Sequence, residues 1–512
     1  MLFNSPSFLF FFLPIVWLVF AALRKYGKFQ WSLGWLLAAS LFFYGWWNPP
    51  YLALLVGSIG FNFLAARRLD SLRNRERSTR FTLFFSVGVN LFLLGYFKYA
   101  DFFLQNVGKL FQVQDIPVLN AMLPLAISFF TFQQIAFLVD VARGKIAEDR
   151  FSVYALFISF FPQLIAGPIV HYKELVPQLM RHTTHRVASN RFLSLGITLF
   201  GIGLFKKVIL ADILAIPVDS LHRGIQNTPD LVSSIDAWIG AVAFSFQIYF
   251  DFSGYSDMAI GLGLMFGVIL PMNFFSPYMA SGIADFWRRW HITLSTFLRD
   301  YIYIPLGGNR KGRAIQFAAI LVTMLLGGLW HGAGWTFVLW GGLHGVFIVA
   351  SHLLGQKASD FQSELPMLMR GFLRASRIGF TFIIVTLLWV LFRAETPQIA
   401  YDIWCKLFDG NHGGTLNLVR DHKVMVVMIV SALVVWLLPN SMMFTHLAKR
   451  SAHHDLLFVP MIDIFRKFIF RTQTRFVWVS SVWNAVWVSC VFFMSLILMY
   501  STLSQEFIYF DF

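Results

Sequence analysis

Charge is scarce in this chain of 512 residues: Asp, Glu, Lys and Arg make up 13% of it, about half of the roughly 25% usual in soluble globular proteins. That shortage argues against a water-soluble enzyme of this length. It also excludes disorder, which combines high charge with few apolar residues. Cysteine is scarcer still. Only Cys405 and Cys490 occur, too few for a disulfide framework or a CxxC pair. No HExxH and no Cys/His ligand spacing is present, so no metal site is expected. The G-x-S-x-G elbow of serine hydrolases is missing. Internal repeats, low-complexity tracts and long linkers are lacking too, and the chain reads as a single domain, 1–512.

What is present points to a bilayer. The chain is 57% hydrophobic and 18% aromatic, with 59 Phe and 17 Trp, a composition suited to lipid contact and membrane interfaces. A hydrocarbon core about 30 Å thick needs about 20 apolar residues per helix. Phe8–Leu23 has no basic segment before it, and Arg24, Lys25 and Lys28 follow it; it is expected to be a retained first helix rather than a signal peptide. Further cores are Trp31–Trp47, Tyr51–Ala66, Phe81–Tyr99, Ala121–Val141, Phe192–Ile216, Ala237–Leu270, Ala314–Trp330, Trp335–Leu354, Ile378–Phe392, Val424–Leu438 and Val477–Tyr500. Ala237–Leu270 is too long for one span and holds Asp251 and Asp257, so a break is expected there. Phe151–Val170 carries Pro162 and Pro168, which fits a re-entrant or broken helix. The fold class expected is therefore an all-α polytopic membrane bundle of about 11–12 spans plus re-entrant and amphipathic helices.

The net charge of +15 becomes an orientation through the positive-inside rule. The 67–80 loop carries Arg67, Arg68, Arg73, Arg75, Arg77 and Arg80 and is assigned to the cytoplasm. Alternating from it, the basic loops 24–30, 142–150, 171–191, 271–313, 355–377 and 443–476 all fall inside. The charge-poor 100–120 and 217–236 loops fall outside, and so do both termini.

Polar residues at membrane depth are costly and therefore functional candidates. Between Gln247 and Asp257, two carboxylates, Asp251 and Asp257, and the hydroxyls of Ser253, Tyr255 and Ser256 interrupt an apolar run. Asp251 and Ser253 could cap a helix starting near residue 254, or the group could line a substrate tunnel with Asp257 orienting a His or Arg. Further on, Trp287, Trp290 and Leu294 share one face at helical spacing, with Arg288, His291, Ser295 and Arg299 on an adjacent polar stripe. This predicts an amphipathic helix near the inner surface, either a plain interfacial helix or a basic pocket for a phosphate-bearing donor. Third, His331 sits among Gly327, Gly328, Gly332 and Gly334, between Trp330 and Trp335. Glycines let backbones or a ligand approach closely, and a neutral imidazole there could act as a general base. The alternative is a histidine bonded to a carbonyl in a tight hairpin. His344 and His352 read as mainly structural, and His171, His182, His185, His412, His422, His453 and His454 as solvent-exposed loop residues.

In combination these blocks resemble the membrane-bound O-acyltransferase (MBOAT) family, on the bacterial branch that includes alginate O-acetyltransferase and the teichoic acid D-alanyl transfer protein. The strings that carry the likeness are Phe161-Pro-Gln-Leu-Ile-Ala-Gly-Pro-Ile169, Asp251-Phe-Ser-Gly-Tyr-Ser-Asp257, Asn273-Phe-Phe-Ser-Pro-Tyr278, Phe286-Trp-Arg-Arg-Trp-His-Ile-Thr-Leu-Ser295, Tyr303-Ile-Pro-Leu-Gly-Gly-Asn309 and Gly328-Leu-Trp-His-Gly-Ala-Gly-Trp335. The opening Leu2-Phe-Asn-Ser and the closing Phe507-Ile-Tyr-Phe-Asp-Phe512 also resemble alginate-type members.

The resemblance implies a helical bundle around a central tunnel, with His331 as the catalytic histidine and His291 as the second family histidine. Arg288, Arg289 and Arg299, with Arg310 and Lys311, would bind the donor; Asp251, Ser253, Tyr255, Asp257 and Trp330 would line the tunnel. It implies no bound cofactor, with acetyl-coenzyme A or another acyl thioester as donor substrate arriving from the cytoplasm. The acceptor hydroxyl would belong to an exopolysaccharide and be reached through a periplasmic partner, which places the protein in a bacterial inner membrane with both termini periplasmic. D-alanyl or other acyl transfer is the nearest alternative. A polysaccharide or lipid transporter and a non-catalytic scaffold of an export complex are rivals of a different kind, and no nucleic acid is expected as a partner.

Overall fold

Backbone N–H and C=O groups find no water in a hydrocarbon layer, so apolar runs satisfy them internally as helices. Every regular element among the described residues is indeed a helix. The computed structural model describes residues 1–113, 119–147, 150–165, 167–180, 190–363, 366–410, 418, 421–445, 447, 481–501 and 507–508. The basic stretches at 181–189 and 448–476, His182, His185, His412, His453 and His454, and most of the closing 507–512 string lie outside the described residues.

Among the described residues, seven helices are long and apolar enough to cross a membrane: Phe8–Lys25, Pro49–Asn74, Arg80–Phe111, Arg313–His331, Trp335–Leu353, Leu368–Arg393 and Val482–Met499. Ile127–Ala142 and His422–Trp436 are apolar but shorter. The protein is thus a multi-pass helical membrane protein. Several expected cores fold as helices that are short, such as Phe29–Gly45, or interrupted, such as the run through Lys206–Ala211, which winds as a wider π-turn.

Two expectations of continuity came out reversed. The stretch containing Asp251 and Asp257 does not break: Ser234–Met265 is one helix of 32 residues, and Asp251 and Ser253 lie inside it rather than capping its start. The chain does break within the expected amphipathic helix. It forms Ile283–Arg289 and Ile292–Leu298, because His291 takes a left-handed conformation, φ 43° and ψ 55°. The polar stripe from Arg288 to Arg299 therefore does not exist as one helical face. The proline-bearing segment is broken as expected, into Phe151–Ser159 and Phe161–Leu164.

The described chain divides into two compact units. The first comprises Met1–Phe200 and Tyr255–Pro271. Its interior is aromatic, with Phe3, Phe8, Phe20, Phe43 and Phe161 fully buried. It also holds a polar knot joining three helices. Asn62 and Asn90 exchange amide hydrogen bonds of 3.1 and 2.7 Å, and Gln134 Oε1 accepts from Ser58 and Asn62 at 2.8 and 3.0 Å. Such a network specifies helix register, since a slip would strand each amide in an apolar layer.

The second unit comprises Gly201–Gly254 and Met272–Phe512. It is organised around Trp290, Trp340 and Trp389, all fully buried, with Trp389 against Trp290 at 5.0 Å and against Trp340 at 5.5 Å. Beside them, helices Arg313–His331 and Trp335–Ser363 form a hairpin whose axes meet at glycines. A Cβ on Gly328 would lie 2.3 Å from the Phe337 carbonyl oxygen, and one on Gly341 would lie 2.3 Å from that of Met324. Glycine is what permits this approach.

Replacing Gly341 with Val should therefore overpack the crossing and cost about 1–3 kcal/mol. The thermal unfolding midpoint of the detergent-solubilised protein measures it, and an unchanged midpoint would mean that the two helices do not meet at this pair.

Candidate active site

The glycine crossing aims the end of the hairpin. His331 is the last residue of its helix, and the chain turns through Gly332, where a Cβ would lie 2.2 Å from the Phe337 ring. The imidazole is 3% exposed and walled by three aromatic rings, Trp330 at 4.8 Å, Trp340 at 5.2 Å and Phe392 at 5.2 Å. His331 is thus a buried imidazole at the end of a tight hairpin. Aromatic walls lower the local dielectric and strengthen any charge interaction the imidazole makes.

The same Trp330 ring stands 5.9 Å from His291, so one indole touches both candidate histidines. His291 is fully buried, and its left-handed backbone is held by Asn273. The Asn273 carbonyl accepts from Ile292 N–H at 2.9 Å. Its side-chain Oδ1 accepts from Thr293 N–H at 3.3 Å and from the Thr293 hydroxyl at 3.0 Å. The N–H donor identifies this atom as the oxygen. His291 Nδ1, 3.1 Å away, must then be the protonated nitrogen. A neutral imidazole so held presents a bare Nε2 lone pair, and this buried atom has no hydrogen-bond partner among the described residues. In its neutral form His291 is built to accept a hydrogen bond, which disfavours the oxyanion-donor role.

Asp251 sits in the same unit but is occupied. Lys207, on the π-turn, lies 2.7 Å from Asp251 and 2.9 Å from Asp212, and all three side chains are buried. This pairing explains why Ser234–Met265 runs on through Asp251: the carboxylate is neutralised by a lysine and has no need of a helix end. The other Asp251 oxygen accepts the backbone N–H of Ile508 at 2.9 Å. Phe507 packs on Phe252 at 5.7 Å, and Phe252 meets His291 edge to face at 4.7 Å. Asp251 therefore anchors chain ends behind His291, and Ser253 is buried alongside it. Sequence reading missed Lys207 and Asn273, although a lysine inside the apolar run 192–216 was a signal that could have been taken.

The remaining expected residues are dispersed. Tyr255 and Asp257 are buried in the first unit, where Tyr255 stacks on Phe3 at 4.8 Å. Arg289 is 5% exposed, and its Nε donates to Asp285 at 3.0 Å. Arg288 is largely exposed, 3.6 Å from Asp285. Arg299 is exposed and forks onto Asp300 at 2.7 and 3.2 Å. Arg310 and Lys311 are exposed in the turn that follows.

The profile of MBOAT, the membrane-bound O-acyltransferase family, matches residues 150–394, a segment that contains Lys207, Asp251, Asn273, His291 and His331. A peptidoglycan O-acetyltransferase of Helicobacter pylori is 43% identical over 429 residues, covering 79% of each chain. The chain belongs to the membrane-bound O-acyltransferase family. A protein named probable alginate O-acetylase AlgI, from Pseudomonas aeruginosa, is 41% identical over 413 residues, which is 80% of this chain and 75% of that one. A teichoic acid D-alanyltransferase of Bacillus subtilis is 27% identical over 235 residues, 44% of this chain and 58% of that one. As an MBOAT member the protein is an O-acyltransferase, and transporter and scaffold readings fall away.

The buried triad of this MBOAT protein carries a stability prediction. Lys207→Met leaves two buried carboxylates without a counter-charge and should cost about 3–5 kcal/mol. Adding Asp251→Asn should recover part of the loss, with solubilised yield and unfolding midpoint as the measurements.

Proposed function

We propose that the protein moves an acetyl group from a cytoplasmic thioester, acetyl-coenzyme A or another acyl carrier, to a hydroxyl on an envelope or exported polysaccharide, working with a periplasmic acceptor-carrying partner from a bacterial inner membrane. The observation that carries this reading is the pair of buried imidazoles that both contact the Trp330 ring. The names of the more similar relatives refer to O-acetylation of peptidoglycan and alginate, both polysaccharides. D-alanyl transfer is the second reading, favoured only by the more distant teichoic acid relative.

In the reaction, the acceptor hydroxyl oxygen attacks the thioester carbonyl carbon while His331 takes its proton. The C–O bond forms, and the carbonyl oxygen becomes an oxyanion. Collapse then breaks the C–S bond, and the thiolate leaves with the proton that His331 returns. His291, whose bare Nε2 can only accept, would take a hydrogen bond from a second hydroxyl of the acceptor sugar and so orient the attacking one toward His331. A positioned base supplies roughly 10²–10⁴-fold, and two reactants held together in a dry pocket gain further from proximity. The exposed Arg288, and the exposed Arg299 on exchanging Asp300 for the ligand, would meet donor phosphates, for which guanidinium forks are suited. Arg289, committed to Asp285, supports the His291 turn instead.

His331→Ala should lower transfer of label from acetyl-coenzyme A by at least about 10²-fold while insertion and yield stay normal. Near-wild-type acetylation in that variant would contradict the assignment. Arg288→Ala with Arg299→Ala should raise the KM for the donor and leave kcat within about threefold, because it removes ground-state binding alone. Steady-state kinetics on solubilised enzyme separates the two.

A further inference from the structure

A third buried histidine lies on the same aromatic cluster. His344 is fully buried on the second hairpin helix, with its ring 4.8 Å from Trp340, 5.2 Å from Trp287 and stacked on Phe286 at 6.1 Å. Trp340 in turn faces His331 at 5.2 Å, so a single indole separates His344 from the proposed base.

Its protonation pattern is fixed. The Trp287 indole N–H donates to His344 Nδ1 at 3.2 Å, and an indole nitrogen can only donate. Nδ1 must therefore be the bare nitrogen. The ring is neutral, with its proton on Nε2. That is the opposite tautomer to His291, whose Nδ1 carries the proton. The buried Nε2–H of His344 has no partner among the described residues, and neither has the buried indole N–H of Trp340. A buried donor left unmatched destabilises a fold, and an apolar ring of the same shape would serve packing better. Two such donors, on rings whose centroids lie 4.8 Å apart and one of which faces His331, suit a ligand that offers an acceptor oxygen.

We propose that His344 is a further catalytic residue: its Nε2–H, fixed as a donor by Trp287 and assisted by the Trp340 N–H, binds the acyl carbonyl oxygen and stabilises the oxyanion formed when the hydroxyl attacks. Trp287 is then a positioning residue that acts through the tautomer. The inference rests on the acyl-transfer reading above and supplies the electrophilic half that His331 and His291 leave open. One pocket thus carries two functions, a lone pair for the hydroxyl and an N–H for the carbonyl. Donors set in advance toward developing charge are commonly the largest single contribution to such reactions.

The test compares His344→Leu, His344→Gln and Trp287→Phe with wild type and His331→Ala, using acetyl-coenzyme A as the donor probe. Transfer rate and unfolding midpoint are measured on the same solubilised full-length preparations. Loss of one oxyanion donor should lower kcat about 10²–10³-fold in His344→Leu, with donor KM little changed and the midpoint equal or higher. His344→Gln keeps an N–H near the Nε2 position and should retain activity to within about tenfold of wild type. Trp287→Phe frees the tautomer and should lower kcat without raising KM. A kcat within twofold of wild type in both His344→Leu and Trp287→Phe overturns the inference. So does a lowered midpoint with unchanged activity per folded molecule, which is what a packing role predicts. Should His344→Leu fail to fold, kcat of Trp287→Phe decides. If wild type itself transfers nothing from any acyl thioester, the acyl-transfer reading fails; active wild type with inactive His331→Ala and unaffected His344→Leu and Trp287→Phe overturns the His344 inference alone.

Discussion

A histidine that works inside a membrane protein must be held still without tying up the nitrogen that reacts. Water cannot help, and every polar atom left unmatched in a low-dielectric interior is costly. The second unit meets this constraint in three ways. His331 is walled by Trp330, Trp340 and Phe392. His291 is gripped through Nδ1 by Asn273. His344 is gripped through Nδ1 by Trp287. The two side-chain clamps differ in sign, since an amide oxygen accepts and an indole N–H donates, and they leave opposite reactive edges.

The glycines and buried charges serve that arrangement. Close approach at Gly328 and Gly341 sets where the hairpin ends, and hence where His331 lies. Lys207 pairs with both Asp251 and Asp212, which lets a long helix pass with a carboxylate inside it. The same carboxylate retains an oxygen for the Ile508 N–H, fixing Phe507 against Phe252 and so backing His291. A charge that would otherwise disrupt the helix thereby becomes a fastening for the rear of the site.

Much of this was legible in the sequence, and what was hidden depended on distant partners. Scarce charge and abundant aromatics lead to a helical membrane protein without any motif. His331 stands out because it is polar among glycines and tryptophans. Pro162 announced a broken helix, which the structure has at Phe160. By contrast, helical periodicity from Trp287 to Arg299 predicted a continuous helix. The break at His291 is imposed by Asn273, a residue outside the window that periodicity examines. Asp251 suggested a helix end for the same reason: its neutralising lysine lies on another helix. Local pattern found the polar residues, and tertiary partners decided what each one does. His344 shows the limit most clearly, because only its hydrogen bond to Trp287 distinguishes a donor from a packing residue.

The central claim is that acyl transfer takes place in the ring-walled pocket shared by His331 and His291. A cryo-electron microscopy structure of the wild-type protein with a non-hydrolysable acyl-thioester analogue tests it most directly. The account predicts the carbonyl-equivalent group beside the Trp330 ring, within hydrogen-bonding reach of the pocket's histidines, with the phosphates toward Arg288 and Arg299. An analogue bound with its acyl end remote from both His331 and His291 would contradict it.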